Sequence, residues 1–353
     1  MRILVDARPL CEPTGGVSRV GRALVAAHAD AFPDDELVCA TTGAAAPPFP
    51  TILSARPNIR HEHLTLPNKA WSTLTMFHAN SFDRAMRRFG KTDAVFFPNI
   101  GFIGPIGSPS VLLLHDLSFL IEPRWFTRKQ RIWHQAIEAK ERIREASMLL
   151  AVSDTTARDA ERILGIEKNR ILTIPIGSTR VDDVAEVHNV PRRFALAIGA
   201  QDPRKNSATA IEAIRLLRQE PGFKDLELVL VGTQGMRPPF TQTWIHPIEN
   251  PTDAELAGLY RRAAVFLYPS WYEGFGLPLH EAMAHGTPCV ASTAGALPET
   301  APLNTFFANP AKPHFWVDAI KQSLEHPRPQ APKPRSWTEA ALILHHALQQ
   351  SLA

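Results

Sequence analysis

Tyr268-Pro-Ser-Trp-Tyr-Glu-Gly-Phe-Gly-Leu-Pro-Leu-His-Glu-Ala-Met-Ala-His-Gly-Thr-Pro-Cys-Val-Ala-Ser292 decides how this chain folds. Ala264 to Tyr268 is a short apolar run of the buried-strand type, closed by Pro269. Ser270 to Gly276 contains Gly274 and Gly276 and reads as a loop. Pro278 suits the first turn of a helix, where its missing N–H has no intrahelical partner. A helix is therefore expected from about Leu277 to Gly286, with Pro288 just beyond it. Pro288 to Ser292 reads as a second buried strand. Strand, glycine loop, helix and strand in that order place free backbone N–H groups and a positive helix end at the mouth of a parallel sheet. That is where a diphosphate is held.

The same stretch carries Glu273 on the loop and Glu281 on the helix, eight positions later. Neither carboxylate suits contact with phosphate, because like charges repel. Each suits accepting hydrogen bonds from sugar hydroxyls. One segment thus offers donors for a diphosphate and acceptors for two sugar rings, the requirements of a nucleotide-sugar site.

Elsewhere the chain alternates strand and helix. Ile3 to Val5 is a strand, Pro9 to Val17 a loop containing Thr14-Gly15-Gly16, and Ser18 to Ala29 a helix. Gly15 and Gly16 allow close approach of a ligand, although a plain tight turn explains them as well. Thr41 to Pro50 reads as a loop, and Pro67 to Gly90 as an amphipathic helix whose aromatics fill a core. The alternative for that second segment is a surface for a lipid-linked or anionic acceptor. Ala94 to Pro98 is a strand, and Val111 to Leu114 another, ending in His115-Asp116 at the carboxyl edge of the sheet. A long helix from about Arg128 to Ala146, the strand Met148 to Ser153, a helix from Thr155 to Leu164 and the run Ile171 to Gly177 follow. Ser178 to Val190 is polar and turn-like. The domain reading is 1–180, a linker at 181–190, a second domain at 191–335 and a final helix at 336–353.

In the second half, Phe194 to Gly199 and Leu226 to Val231 are strands around a helix from Ser207 to about Arg218, capped by Asn206 or Ser207. Arg204-Lys205 lies after a strand and before a helix, a compact cationic clamp beside another positive helix end. Gly235 to Pro251 reads as a loop. Thr252 or Asp253 caps a helix to Tyr260, and Phe315 to Glu325 and a segment from Trp337 are the last helices.

Glu-Gly-Phe-Gly-Leu-Pro from Glu273, Glu-Ala-Met-Ala-His-Gly-Thr-Pro from Glu281, Pro-Arg-Lys-Asn from Pro203, His115-Asp116 and Thr14-Gly-Gly-Val-Ser-Arg19 together resemble the retaining glycosyltransferases of family 4. The resemblance implies an α/β protein of the GT-B fold. Such a protein has two Rossmann-like domains facing across a cleft, with a C-terminal helix crossing back to the first. It implies catalytic roles for His115, Glu273, Arg204 and Lys205. Glu273 and His115 would contact the donor sugar, and Arg204 and Lys205 the diphosphate. It implies donor binding by Gly15, Gly16, Gly274, Phe275, Gly276, Leu277 and Glu281, the last on the ribose. Ala200 stands where the family often has a further arginine, and the resemblance weakens over Ala301 to Phe315. Within the family the chain is similar to mannosyl- and rhamnosyl-type enzymes of bacterial surface polysaccharide assembly.

The totals agree with this class. A chain of 353 residues suggests two domains of ordinary size. A formal net charge of +3 without a long basic run argues against nucleic acid. A pI near 8.8 suits an anionic donor or peripheral contact with the inner membrane. Cys11, Cys39 and Cys289 have no metal spacing and fit a reduced, cytoplasmic setting. No signal peptide is read at the start, and no apolar run approaches the roughly 18 residues of a membrane span. No Asp-x-Asp occurs, so neither metal nor cofactor is expected. The expected partners are a nucleotide-sugar donor and a glycan or lipid-linked acceptor. A sugar-nucleotide epimerase of the same fold, or a non-catalytic carbohydrate-binding protein, are the alternatives.

Overall fold

The computed structural model describes residues 1–13, 15–177, 183–232 and 242–352. Thr14 of the glycine turn, residues 178–182 of the expected linker and residues 233–241 of the expected Gly235–Pro251 loop lie outside the described residues. The chain divides into two compact units, Met1–Gly177 with Arg335–Ala353, and Ser178–Pro334.

The first unit is built on β1 (Arg2–Asp6), β2 (Glu36–Gly43), β3 (Ile59–Thr65), β4 (Ala94–Phe97), β5 (Ser110–Leu114), β6 (Met148–Ala151) and β7 (Ile171–Thr173). All pair in parallel, in the order β3-β2-β1-β4-β5-β6-β7. The inner strands β1, β4, β5 and β6 are apolar at nearly every position because both faces are covered, whereas the edge strand β3 is mostly polar. Leu4, Val38, Val95, Phe97, Leu112, Leu114 and Leu149 pack on one face with Trp71, Phe82, Ile143 and Leu164. The last helix, Thr338–Ser351, packs on the helix Gly16–Ala31 and on β4, β5 and β6, so the end of the chain is part of this unit.

The second unit is built on β8 (Phe194–Ile198), β9 (Glu227–Val231), β10 (Ile245–Ile248), β11 (Val265–Tyr268), β12 (Cys289–Ser292) and β13 (Phe306–Ala308). These too are parallel, ordered β10-β9-β8-β11-β12-β13. The period of two sorts each strand. Ala195, Ala197, Leu228, Leu230, Val265 and Leu267 face one core, with Ala210, Ile214, Trp316 and Ile320 from the helices Ser207–Leu217 and Pro313–Glu325. Phe194, Leu196, Val229, Val231, Phe266 and Tyr268 face the other, with Leu259, Tyr260, Leu279 and Met283 from the helices Asp253–Arg262 and Leu277–Ala284. Residues 183–190 lie against this unit: Ala185 N–H donates to Ala254 O at 2.9 Å, and Val187 and Val190 pack on the second core.

Several local expectations differ from the structure. The strand β2 runs through Gly43, because Thr41, Thr42 and Gly43 pair with His63, Leu64 and Thr65. The Ala/Pro-rich loop starts only after it. Pro67–Gly90 is not one helix but Asn68–Met76, Phe82–Met86 and a 3-10 turn at Arg87–Phe89. The break lets Trp71 and Phe82 both reach the core, edge to face at 6.2 Å. The expected helix over 128–146 is split into Arg128–Ala136 and Ala139–Glu145 by Glu138, whose φ of 51° is left-handed. There its carboxylate meets the buried Arg142 guanidinium at 2.9 Å and His78 at 2.8 Å. Ile245–Ile248 is a strand inside the expected loop, with Pro247 tolerated because β10 is an edge with one neighbour. Thr252 is the cap of its helix, in a reciprocal capping box with Glu255.

Candidate functional site

In an open parallel sheet, ligands bind beyond the carboxyl ends of the strands where the strand order reverses. In the second unit that point lies between β8 and β11. The loops leaving these two strands are 199–206 and 269–276, and they carry Arg204, Lys205, Glu273, Gly274, Phe275 and Gly276. Leu277 opens the helix that follows, and Glu281 lies on it. The structure therefore brings together in this unit eight of the residues expected at the site. Gly15, Gly16 and His115 belong to the first unit.

Lys205 is the centre of the constellation. Its Nζ donates to Tyr268 Oη at 2.7 Å and to Glu273 Oε1 at 2.5 Å, and sits 4.9 Å from the Tyr268 ring centroid. Gly199 makes this reach possible. Its φ is +73°, and a Cβ there would stand 2.7 Å from Lys205 Cγ. Burial, and then the Glu273 carboxylate, push the Tyr268 phenol well above its ordinary pKa, so it stays protonated. Glu273 is only 9 % exposed. Its backbone is clamped as well: Ala296 N–H donates to Glu273 O at 2.9 Å. Gly295 lies so close that a Cβ would meet Glu273 N and O at 2.7 Å.

Arg204 is held by Asp202, which accepts from its guanidinium at 2.7 and 3.1 Å and from its backbone N–H at 3.0 Å. Burial opposes charge on Asp202, but the Arg204 guanidinium outweighs it and holds the carboxyl below its ordinary pKa. Arg204 O in turn accepts from Trp271 N–H at 2.7 Å, tying the two loops together. Asn206 ties them again. Its Nδ2 donates to Pro269 O at 3.0 Å and Pro310 O at 2.9 Å. Asn206 occupies the cap position expected for it, but in a left-handed conformation with no side-chain cap bond to the backbone; its Oδ1 instead accepts from Thr209 Oγ1 at 3.2 Å.

The helix Leu277–Ala284 opens at Gly276, φ 94°, with Pro278 in its first turn. The first amides of a helix have no intrahelical partner and carry its positive end, so this opening suits an anion. Glu281, one turn in, is 5 % exposed and accepts from Tyr260 Oη at 3.3 Å. Both loop cations are thus already matched to carboxylates, and Asp202, Glu273 and Glu281 outnumber Arg204 and Lys205. An arriving diphosphate competes for Lys205 and Arg204 rather than meeting bare cations.

In the first unit His115 follows β5 directly, and its Nε2 lies 2.9 Å from Pro98 O at the end of β4. A carbonyl only accepts, so Nε2 carries the proton and Nδ1 is an acceptor. Burial, partly offset by this hydrogen bond, holds the imidazole pKa below its ordinary value, so the ring is neutral near pH 7. Gly15, φ 119°, precedes the helix Gly16–Ala31. Sequence reasoning missed Gly199, Asp202 and Tyr268 as parts of the site. Only Asp202 had a local signal, an acid two residues before an arginine in a proline turn.

The described residues also place His28, Asp35 and His345 with ligand atoms within 4.8 Å of one another. Asp35 bonds the terminal amine at 2.5 Å, His28 at 3.0 Å and His345 at 3.1 Å. This cluster precedes β2, at the amino edge of the first sheet, and joins the first and last helices there.

Residues 192–326 match the family model described as "Glycosyl transferases group 1". The O-antigen chain mannosyltransferase B of Escherichia coli is 30% identical over 251 residues, which are 66% of this chain and 63% of that protein. The MMP alpha-(1->4)-mannosyltransferase of Mycolicibacterium hassiacum is 35% identical over 187 residues, 50% of this chain and 44% of that protein. The chain spans less than two thirds of the length of either relative. Among solved structures, the sucrose-phosphate synthase of Thermosynechococcus elongatus matches over 99% of this chain and 94% of its own, with a TM-score of 0.65 at 20% identity. That likeness shows the fold, the GT-B arrangement of two Rossmann-like units.

Proposed function

Because residues 192–326 form a domain of the glycosyl transferases group 1 family, we propose that the chain is a retaining glycosyltransferase moving a hexose, mannose favoured, from a nucleoside diphosphate sugar to a glycan or lipid-linked acceptor. The observation that carries the reading is the Lys205–Glu273–Tyr268 network standing beside an uncapped helix opening at the switch point of the second sheet. It supplies a cation and amides for a diphosphate, and carboxylates for hydroxyls, within one wall.

In the proposed reaction the bond from the sugar C1 to the phosphate oxygen breaks and one from C1 to the acceptor oxygen forms on the same face. The acceptor proton passes to the departing phosphate. Lys205, Arg204 and the amides of Gly274, Phe275, Gly276 and Leu277 stabilise the charge growing on that phosphate. Glu273 accepts from hydroxyls of the donor sugar and Glu281 from the ribose. His115, neutral, offers Nδ1 to a donor-sugar hydroxyl, and Gly15 and Gly16 leave room for the phosphates or the acceptor. No metal is invoked, since the cations and amides take the role an Asp-x-Asp-bound ion plays elsewhere. The mannose preference draws on the mannosyltransferases named above, and bacterial surface polysaccharide synthesis on the cytoplasmic side is the setting it suits. No helix among the described residues is long and apolar enough to cross a membrane.

The test is product analysis by nuclear magnetic resonance with a panel of nucleotide sugars and an oligosaccharide acceptor, with and without a chelator. Acceptor-dependent release of nucleoside diphosphate, retained anomeric configuration and indifference to the chelator are expected. A changed sugar nucleotide formed without acceptor would mean an epimerase. Sugar binding with no release of nucleotide would mean a binding protein.

A further inference from the structure

Two spaces in the first unit differ in the state of the arginines that line them. A cavity of about 600 Å³ opens at the carboxyl ends of β1, β2 and β4, where the order of the first sheet reverses. Arg8 lies in its wall, but its Nε and one terminal nitrogen donate to Asp6 at 2.8 and 2.7 Å, and the other terminal nitrogen to Phe102 O at 3.0 Å. A guanidinium locked against a buried carboxylate has little left for a ligand.

A smaller pocket, about 280 Å³, has Arg84 and Arg87 in its wall. Neither makes an ion pair or a hydrogen bond among the described residues. They stand three positions apart, on the helix Phe82–Met86 and the 3-10 turn Arg87–Phe89 that continues it, so both face the same space. The carboxylate in the lining, Asp83, is 6 % exposed and already answered by two hydroxyls, Ser81 Oγ at 2.6 Å and Ser108 Oγ at 2.7 Å. Asn80 also lines the pocket; its Oδ1 accepts from Ser81 N–H at 2.9 Å, which leaves Nδ2 free to donate.

The frame behind these donors is fixed. His78 Nε2 meets Glu138 Oε2 at 2.8 Å, and Arg142 donates to Glu138 at 2.9 Å and to Glu145 at 2.6 Å. Glu145 also accepts from Ile106 N–H at 2.9 Å. One chain of hydrogen bonds thus joins His78 and Ile106 on the pocket wall, and the space exists before a ligand arrives. The two glutamates share Arg142 and lie outside the lining, where Arg84 and Arg87 outnumber Asp83. Gly107 stands three residues before β5, and Glu145 three before β6, so the pocket is at the amino edge of the sheet. His115 leaves the opposite, carboxyl edge.

Two converging guanidinium groups and an amide donor make the set that grips a phosphate, because the planar fork of arginine matches its oxygens. We propose that this pocket binds a phosphate monoester group through Arg84, Arg87 and Asn80 Nδ2, at a site separate from the one at Lys205. The volume is near the lower end for small-molecule sites, so the occupant is small. The proposal rests on the first unit alone, and the glycosyltransferase reading stands or falls separately.

Titration calorimetry on the full chain tests it, with glycerol 3-phosphate, glycerol and inorganic phosphate as probes. Sedimentation with phosphatidylcholine vesicles carrying phosphatidic acid runs beside it. Glycerol 3-phosphate should bind with a Kd below about 1 mM and be displaced by inorganic phosphate, while glycerol should not bind. Vesicle binding without glycerol 3-phosphate binding assigns the same pocket to the phosphate of a lipid headgroup. In either case Arg84→Gln and Arg87→Gln should each weaken binding about fivefold or more, with circular dichroism unchanged. Phosphate binding should persist in Lys205→Ala, and nucleoside diphosphate affinity should be the same in both arginine variants. No binding in either arm, binding indifferent to both arginine substitutions, or binding lost in Lys205→Ala overturns the proposal. A fall in nucleoside diphosphate affinity in the arginine variants overturns it as well.

Discussion

The two sheets share the order 3-2-1-4-5-6 in their first six strands and differ in what stands at the reversal. In the second unit a lysine is shared between a tyrosine and a glutamate next to an open helix start. In the first, an arginine is consumed by an aspartate two residues away, and the space beyond it is lined by tryptophan, threonine and asparagine. Topology supplies the same crevice twice. The connecting loops line it differently each time. Lys205, which bridges two loops, can be lent to an incoming anion, as can Arg204, whose partner Asp202 is partly exposed, whereas Arg8 is clamped by an almost fully buried carboxylate and serves the fold.

That contrast is broken or sharpened by substitution. The largest effect is expected for Lys205→Ala. It should lower turnover roughly a hundredfold or more, on the order of 3 kcal/mol, in a chain whose circular dichroism is unchanged. Normal turnover of the purified variant would remove Lys205 from the reaction. Arg8→Ala should do the opposite. It leaves Asp6 buried without its partner, so stability should fall by about 3 kcal/mol while nucleoside diphosphate affinity is untouched. A loss of nucleotide affinity there would erase the distinction between the two cations.

Glu281→Gln sharpens the second unit alone. It keeps the shape that packs against Tyr260 but weakens the acceptor offered to a ribose. Nucleotide affinity by calorimetry should fall about tenfold, about 1.4 kcal/mol. Equal affinity would strike the ribose assignment.

The smallest effect concerns acid. His28, His61 and His115, whose pKa burial holds below its ordinary value, lie in the first unit. Near pH 6.5 and below, the unfolded chain takes up protons on these rings that the folded chain refuses. Stability is therefore whole above about pH 6.5 and is lost as pH falls toward the depressed folded values. The unfolding midpoint should drop by about 2–4 °C between pH 7.5 and 5.5. Hydrogen exchange should place the loss in the first unit, and a flat midpoint or a loss confined to the second would contradict it.

The second unit was largely legible in advance because its signals are local. Glycines, prolines and apolar runs between 264 and 292 carry strand, loop and helix within a few residues. What could not be read was pairing. Glu273 and Lys205 are 68 positions apart, and only the parallel register of β8 beside β11 brings them together. The same limit hid Tyr268 as more than a strand residue. In the first unit, Thr41-Thr-Gly43 sits next to an Ala/Pro run and reads locally as loop, although β3 pairs with it. The cavity there was invisible for a related reason: it is assembled from loops after three strands and from a helix beyond residue 128. Glu138 looked like any surface glutamate. Its left-handed turn answers to a buried arginine that sequence periodicity does not reveal.

The central claim is that a pyrophosphate is gripped at the carboxyl edge of the second sheet by residues 204–205 and by the amides of 274–277. A crystal structure of the chain with a nucleoside diphosphate tests it most directly. The account predicts the β-phosphate within hydrogen-bond distance of Lys205 Nζ and those amides, with the ribose hydroxyls on Glu281. A nucleotide seated in the cavity of the first sheet, with the Lys205–Glu273 pair undisturbed, would contradict it.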